Sequence, residues 1–298
     1  MAKRRLLICY AHPDDESFGN GALIAKYIHE GAEVYYLCAT DGDVGTIPDD
    51  MKDQYETIRE LRLAELACAE KTLGFKLIRM GYKDSGMQGA PENDDPDCLV
   101  YNWKHNPEDV KRRVVETIRE VQPQVIITFN KYGGYGHPDH IAIQQATIQA
   151  FHAASDSAYL TDGLQPYTPQ KLYYSTMPKW ILSFRLWWLK MRGEDVRHMG
   201  RNKDIDFQKI VDNIEPAHVS VNIGAYLEDW DEASACHISQ GGGSMRGFFA
   251  RWPMWLRRVV MGKQGLTRVF PEPVSEGISE HDLFENVTLD EPQKEPVS

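Results

Sequence analysis

The sequence predicts an α/β protein: a Rossmann-like, mostly parallel sheet flanked by helices, with insertions toward the C-terminus. Three observations lead there. The apolar runs at residues 6–10 and 125–129 lack polar alternation, as strands buried on both faces of a parallel sheet do. Stretches with helical periodicity lie between such runs, and Gly31 and Gly74 stop two of them. Sequences rich in Asp, His and Gly follow the two runs directly, and open α/β sheets build their ligand sites just beyond the carboxyl ends of strands.

Taken in order, the strand at 6–10 leads into Cys9-Tyr-Ala-His-Pro-Asp-Asp-Glu-Ser17 and a helix over 19–30 with Leu23, Ile24, Tyr27 and Ile28 on one face. A second strand over 33–39 completes a βαβ unit. Its first loop has no GxGxxG and carries three acids, which excludes a dinucleotide pyrophosphate and hence a nucleotide cofactor. A helix over 54–73 follows, then a strand over 75–80, a polar loop holding Asp84, and a long rim loop over 90–107 rich in Pro, Asn and Asp. A helix over 108–121 and the strand over 125–129 deliver the loop 130–140. Beyond it the pattern predicts a helix over 138–154, strands at 171–175 and 218–222, and a helix over 225–240.

The chemistry lies in two of these loops. His12, Asp14 and Asp15 follow the first strand, and Gly133-Gly-Tyr-Gly-His-Pro-Asp-His140 follows the fourth. Imidazole and carboxylate are ordinary zinc ligands, and a catalytic zinc takes three protein groups and leaves a position for water. Pro138 suits the first position of a helix, so His137 falls at its cap and His140 in its first turn, sharing a face. Composition and spacing alone reach a mononuclear metal site and no further.

These motifs, Ala11-His-Pro-Asp-Asp-Glu16 and His137-Pro-Asp-His140, resemble the zinc-dependent deacetylases called LmbE-like or PIG-L-like, which include N-acetylglucosaminyl-phosphatidylinositol deacetylase and the mycothiol-pathway deacetylase. The resemblance is weakest over 159–212 and 241–271. It implies one Zn2+ per chain, with Fe2+ as the alternative ion, held by His12, Asp15 and His140. It further implies Asp14 as general base, Asp139 orienting His137, and Arg62 and Asp84 touching the substrate. The reaction implied is removal of an N-acetyl group from a GlcNAc-containing conjugate by a water that zinc activates. Spacing alone makes Arg62 and Glu65 a surface ion pair. The rivals are an amidase for another N-acyl or thiol-conjugate substrate, and a sugar-binding protein without turnover. Ser17-Phe-Gly-Asn20 lacks the lysine that amidases of the mycothiol type carry, and Asp14 and His140 are both retained.

The whole chain sets outer bounds. Its 298 residues fit one domain over 1–288, with insertions near 159–212 and 241–271 and a disordered tail over 289–298. A net charge of −11 argues against nucleic acid as partner. The basic N-terminus precedes an apolar run too short for a signal peptide. Five scattered cysteines read as reduced thiols in a cytoplasmic protein. The aromatic, basic segments 180–191 and 248–260 are read as a subunit interface of a homo-oligomer in preference to a lipid contact.

Overall fold

The run Arg-Leu-Leu-Ile-Cys-Tyr is buried from its second residue onward because it forms a central strand with neighbours on both sides. The computed structural model describes residues 3–200, 203–242 and 252–289, so nearly all of the expected 289–298 tail and the start of the 248–260 segment lie outside the described residues. The strands are β1 (Arg5–Tyr10), β2 (Glu33–Thr40), β3 (Lys76–Tyr82), β4 (Val125–Thr128), β5 (Lys171–Ser175), β6 (Val219–Asn222) and β7 (Lys263–Phe270). The helices are α1 (Asp15–His29), α2 (Ile58–Leu73), α3 (Leu99–His105), α4 (Pro107–Val121), the single turn α5 (Gly133–Gly136), α6 (Pro138–Ala153), α7 (Lys179–Met191), α8 (Phe207–Asp212), α9 (Leu227–Cys236) and α10 (Met254–Met261).

The sheet runs β3-β2-β1-β4-β5-β7-β6. The first five strands are parallel, and β7 pairs antiparallel with both β5 and β6. Chain order reverses between β1 and β4, which is the topological switch point where open α/β sheets leave a crevice. One helical layer packs α1, α2 and α9 together, and another packs α3, α4 and α6. Leu186, Leu189, Val196 and Val211 form a separate small cluster that ties α7 to α8.

Several elements depart from expectation for local reasons. α1 starts at Asp15, four residues early, because Asp15 and Glu16 sit in its first turn where the helix dipole favours carboxylates. α2 starts late, at a Thr57–Glu60 capping box. The expected rim loop contains α3, whose Leu99 is buried in the core. β7, not predicted at all, lies within the stretch 241–271. The expectation of reduced cysteines is corrected: α2 and α9 bring Cys68 and Cys236 to a Cα separation of 5.7 Å, where they form a disulfide, and Cys9, Cys38 and Cys98 are buried free thiols. A pairing across 168 residues of sequence has no signature in spacing, and the inference from thiols to a cytoplasmic setting falls with it. Among the described residues no helix is long and apolar enough to cross a membrane.

Candidate metal centre

β1 and β4 end side by side at the switch point, so the two loops that follow them converge. His137 is the N-cap of α6, with Pro138 next, and the first turn directs His140 back toward His12. Gly133 makes the approach feasible: at φ 65° it is in a conformation that glycine favours, and a Cβ there would lie 2.9 Å from the His140 Cβ.

Three donor atoms meet at this point. His12 Nδ1 is 3.0 Å from His140 Nε2, and Asp15 Oδ2 is 3.6 Å from the first and 3.5 Å from the second. A tetrahedral zinc with bonds of about 2.0–2.1 Å spaces its ligands about 3.3 Å apart. The triangle therefore has the dimensions of one face of such an ion's coordination shell.

The hydrogen bonds behind the rings fix their tautomers. Asp139 Oδ2, 3.2 Å from His12 Nε2, can only accept, so that nitrogen carries a proton. The Gly133 carbonyl, 3.1 Å from His140 Nδ1, imposes the same on His140. In the neutral rings, two lone pairs then face each other beside a carboxylate, and a cation must lie between them. Without metal the cation is a proton: burial opposes it, but Asp84, Asp139 and Asp15 raise the His12 pKa well above its usual value. Burial drops the His140 pKa to about 4. Asp15, although burial opposes ionisation, is held well below the usual carboxylate range by His140 and His12.

Asp14 adopts φ 127°, a strained conformation for a residue with a Cβ. Its backbone N–H donates to Glu16 Oε2 at 3.0 Å, and Glu16, fully buried, also accepts from Ser17 and lies 2.6 Å from His237 Nε2. Glu16 thus holds His237 through Nε2, while the buried His237 Nδ1 has no hydrogen-bond partner among the described residues. Burial pushes the Asp14 carboxyl up to about 7 against the pull of Arg62, whose Nη2 is 3.2 Å away. Arg62 is buried and also donates to the Pro13 carbonyl, while Glu65 accepts from Ser239, so the expected Arg62–Glu65 surface pair is corrected.

Asp139 needs a second correction. Its carboxylate is 3.9 Å from His137 Nδ1 but 3.2 Å from His12, and it also accepts from the Ser85 N–H. What holds His137 is the Asp139 backbone N–H, 3.2 Å from Nδ1, which leaves the proton of the neutral ring on Nε2. Burial, with His12 and His140 adding to it, keeps His137 well below its usual pKa and neutral. Asp84 Oδ1 lies 3.5 Å from His12 Nε2 and 3.9 Å from His137 Nε2. Two overlapping groups can also hold a metal: His12, His137 and His140, or His12, Asp84, His137 and Asp139.

A cavity of about 500 Å³ opens over the centre, lined by His12, Asp14, Arg62, Asp84, Tyr135 and His137, with Asp204, Ile205 and Gln240 on its wall. Sequence reasoning missed Ser85, Asp204 and Ile205. No local pattern marks the last two, which lie where the resemblance is weakest.

The family model described as GlcNAc-PI de-N-acetylase matches residues 7–151, the span that carries both loops. A 1D-myo-inositol 2-acetamido-2-deoxy-α-D-glucopyranoside deacetylase of Geodermatophilus obscurus is 33% identical over 247 residues, covering 80% of this chain and 83% of that protein. The chain belongs to the PIG-L family. A second member with the same name, from Thermomonospora curvata, is 40% identical over 190 residues, which are 60% of this chain and 62% of the relative, short of two thirds of its length. The PIG-L fold also resembles the solved 4-carboxy-2-hydroxymuconate hydratase of Pseudomonas putida, with a TM-score of 0.58 at 17% identity over 91% of this chain and 98% of that one. That likeness concerns fold alone, so the reaction must be argued from the site.

Proposed function

We propose that this chain is a zinc-dependent hydrolase that removes the N-acetyl group from a GlcNAc-containing conjugate, with one Zn2+ held by His12 Nδ1, Asp15 Oδ2 and His140 Nε2. The observation that carries this reading is the pair of imidazole lone pairs turned on each other at 3.0 Å beside a carboxylate, with both tautomers fixed from behind. Zinc there supplies Lewis acidity and brings the pKa of a water to about 7. Fe2+ would suit the same donors.

The remaining residues have distinct tasks. Asp14 faces the cavity, and a carboxyl with a pKa near 7 can both take the water's proton and release it again. Its backbone, tied to Glu16, and its side chain, tied to Arg62, fix the direction in which it accepts. His137 presents a neutral Nε2–H, which donates a hydrogen bond to charge developing on the acetyl oxygen. A neutral ring gives up that proton reluctantly, so the leaving amine receives its proton from Asp14. Arg62 lines the cavity, and its Nη2 holds the Asp14 carboxylate there. Asp84 lines the cavity, where a carboxylate can accept from adjacent sugar hydroxyls.

The test is acetate release from N-acetylglucosamine and a panel of its glycosides, headed by the inositol glycoside in the relatives' names. The expected result is release that chelation abolishes and zinc restores. A metal-loaded protein that releases no acetate from any of them would move the assignment to another acyl group or to a binding role.

A further inference from the structure

The exposed large side chains of α7 form a single stripe: Trp180 is 67% exposed, Phe184 64%, Trp187 56%, Trp188 45% and Met191 69%. At about 100° per residue these five fall within an arc of about 100°. Leu186 and Leu189, on the opposite side, anchor the helix to Val196 and Val211. Most exposed apolar side chains on a protein surface are scattered singly, whereas these are contiguous.

The charge around the stripe is equally ordered. The helix contains Lys179, Arg185 and Lys190 and no acid, in a chain of net charge −11. By the same helical geometry, Arg185 and the following Arg192 flank one edge of the stripe and Lys179 and Lys190 the other. Lys179, Arg185 and Lys190 make no salt bridge with a described residue. Aromatic side chains bordered on both edges by long cationic ones suit a helix lying in the plane of a bilayer, with rings at the acyl boundary and cations reaching the head groups.

We propose that α7 docks this protein on an anionic phospholipid surface. A second copy of the chain fits the same face poorly, because an isologous pair would set cations against cations, and the partners of Lys190 and Arg185, Gln208 and the Phe207 ring, are neutral. The anchor is joined to the site: α8, packed on α7, also packs on the α5 turn, and Asn130 Nδ2 donates to the Asn213 carbonyl at 3.2 Å. Asp204 and Ile205, in the connection between α7 and α8, form part of the cavity wall. Docking would therefore hold a wall of the cavity close to the lipid surface, whatever reaction the site performs.

The test is flotation of the full chain with vesicles of phosphatidylcholine alone or mixed equally with phosphatidylglycerol. The protein is expected to float with the anionic vesicles, and less so as salt is raised. The W180S/F184S/W187S variant should bind about tenfold more weakly or worse while unfolding at the same temperature. K179Q/K190Q, which leaves the apolar stripe intact, should lose about fivefold per cation removed. The proposal is overturned if the native protein fails to float with anionic vesicles, if neutral vesicles float it as well, or if both variants float like the native chain. A native dimer that the triple variant dissolves, with no vesicle binding by either, would assign the stripe to a second copy instead.

Discussion

Asp139→Asn tests the link between ring tautomer and metal affinity. Asp139 is fully buried, and its Oδ2 accepts from His12 Nε2 at 3.2 Å and from the Ser85 N–H at 2.9 Å, while Oδ1 accepts from the Ser85 hydroxyl. Asparagine can keep its oxygen at the Oδ2 position. The Ser85 hydroxyl, already accepting from Val100 N–H, can turn to accept from the new amide, so the fold and the His12 tautomer are preserved. What is lost is the negative charge behind His12, which makes Nδ1 a stronger donor to the metal. Substitutions behind a metal-binding histidine cost about 10–100-fold in metal affinity, or about 1.4–2.7 kcal/mol. The same carboxylate raises the His12 pKa, so the variant also gives up its competing proton more readily. The loss should therefore be largest at high pH and shrink as pH falls. Competition with a chromophoric chelator across pH, with thermal melts to check folding, measures this directly. Unchanged zinc affinity at every pH, with the melt intact, would refute the role given to Asp139.

Three further outcomes are expected. Asp14→Ala should bind zinc normally and lose about 10²–10⁴-fold in turnover, as seen by metal analysis beside acetate release; full turnover with normal metal would remove Asp14 as base. Zinc binding near neutral pH should release about one proton from the His12–His140 pair, because the metal-free His12 pKa is raised well above its usual value. Affinity must then fall as pH drops, and calorimetry in buffers of different ionisation enthalpy would expose a release of none. Cys236→Ser should cost about 2–4 kcal/mol of stability, read from denaturant midpoints with and without reductant, since Cys68–Cys236 closes a long loop between α2 and α9.

Much of the frame could be read from the sequence because the two motifs follow unbroken apolar runs. β1 and β4 could be placed from hydropathy, and Pro138 located the start of α6, whereas α1 begins four residues ahead of the expected Gly19. Edges were harder. β7 pairs antiparallel at the far side of the sheet and its half-buried residues carry a weaker pattern. The site was legible as a set of residues but not as a set of contacts. Nothing in HPDH distinguishes a carboxylate turned to the neighbouring His137 from one turned to His12 on another loop, and Ser85 becomes relevant only when β3 delivers it beneath Asp139. Arg62 looked like half of a surface pair because its i+3 neighbour is Glu65; burial against β1's loop and the turn at Gly42 redirects it to Asp14.

The most direct test of the account is the position of the metal itself, from anomalous scattering at the zinc edge in crystals grown with zinc. A single peak is expected about 2.0–2.2 Å from His12 Nδ1, Asp15 Oδ2 and His140 Nε2, with His137 unligated. A peak bound instead by His137, with Asp84 or with both other imidazoles, would contradict both the ligand set and the tasks given to His137 and Asp14.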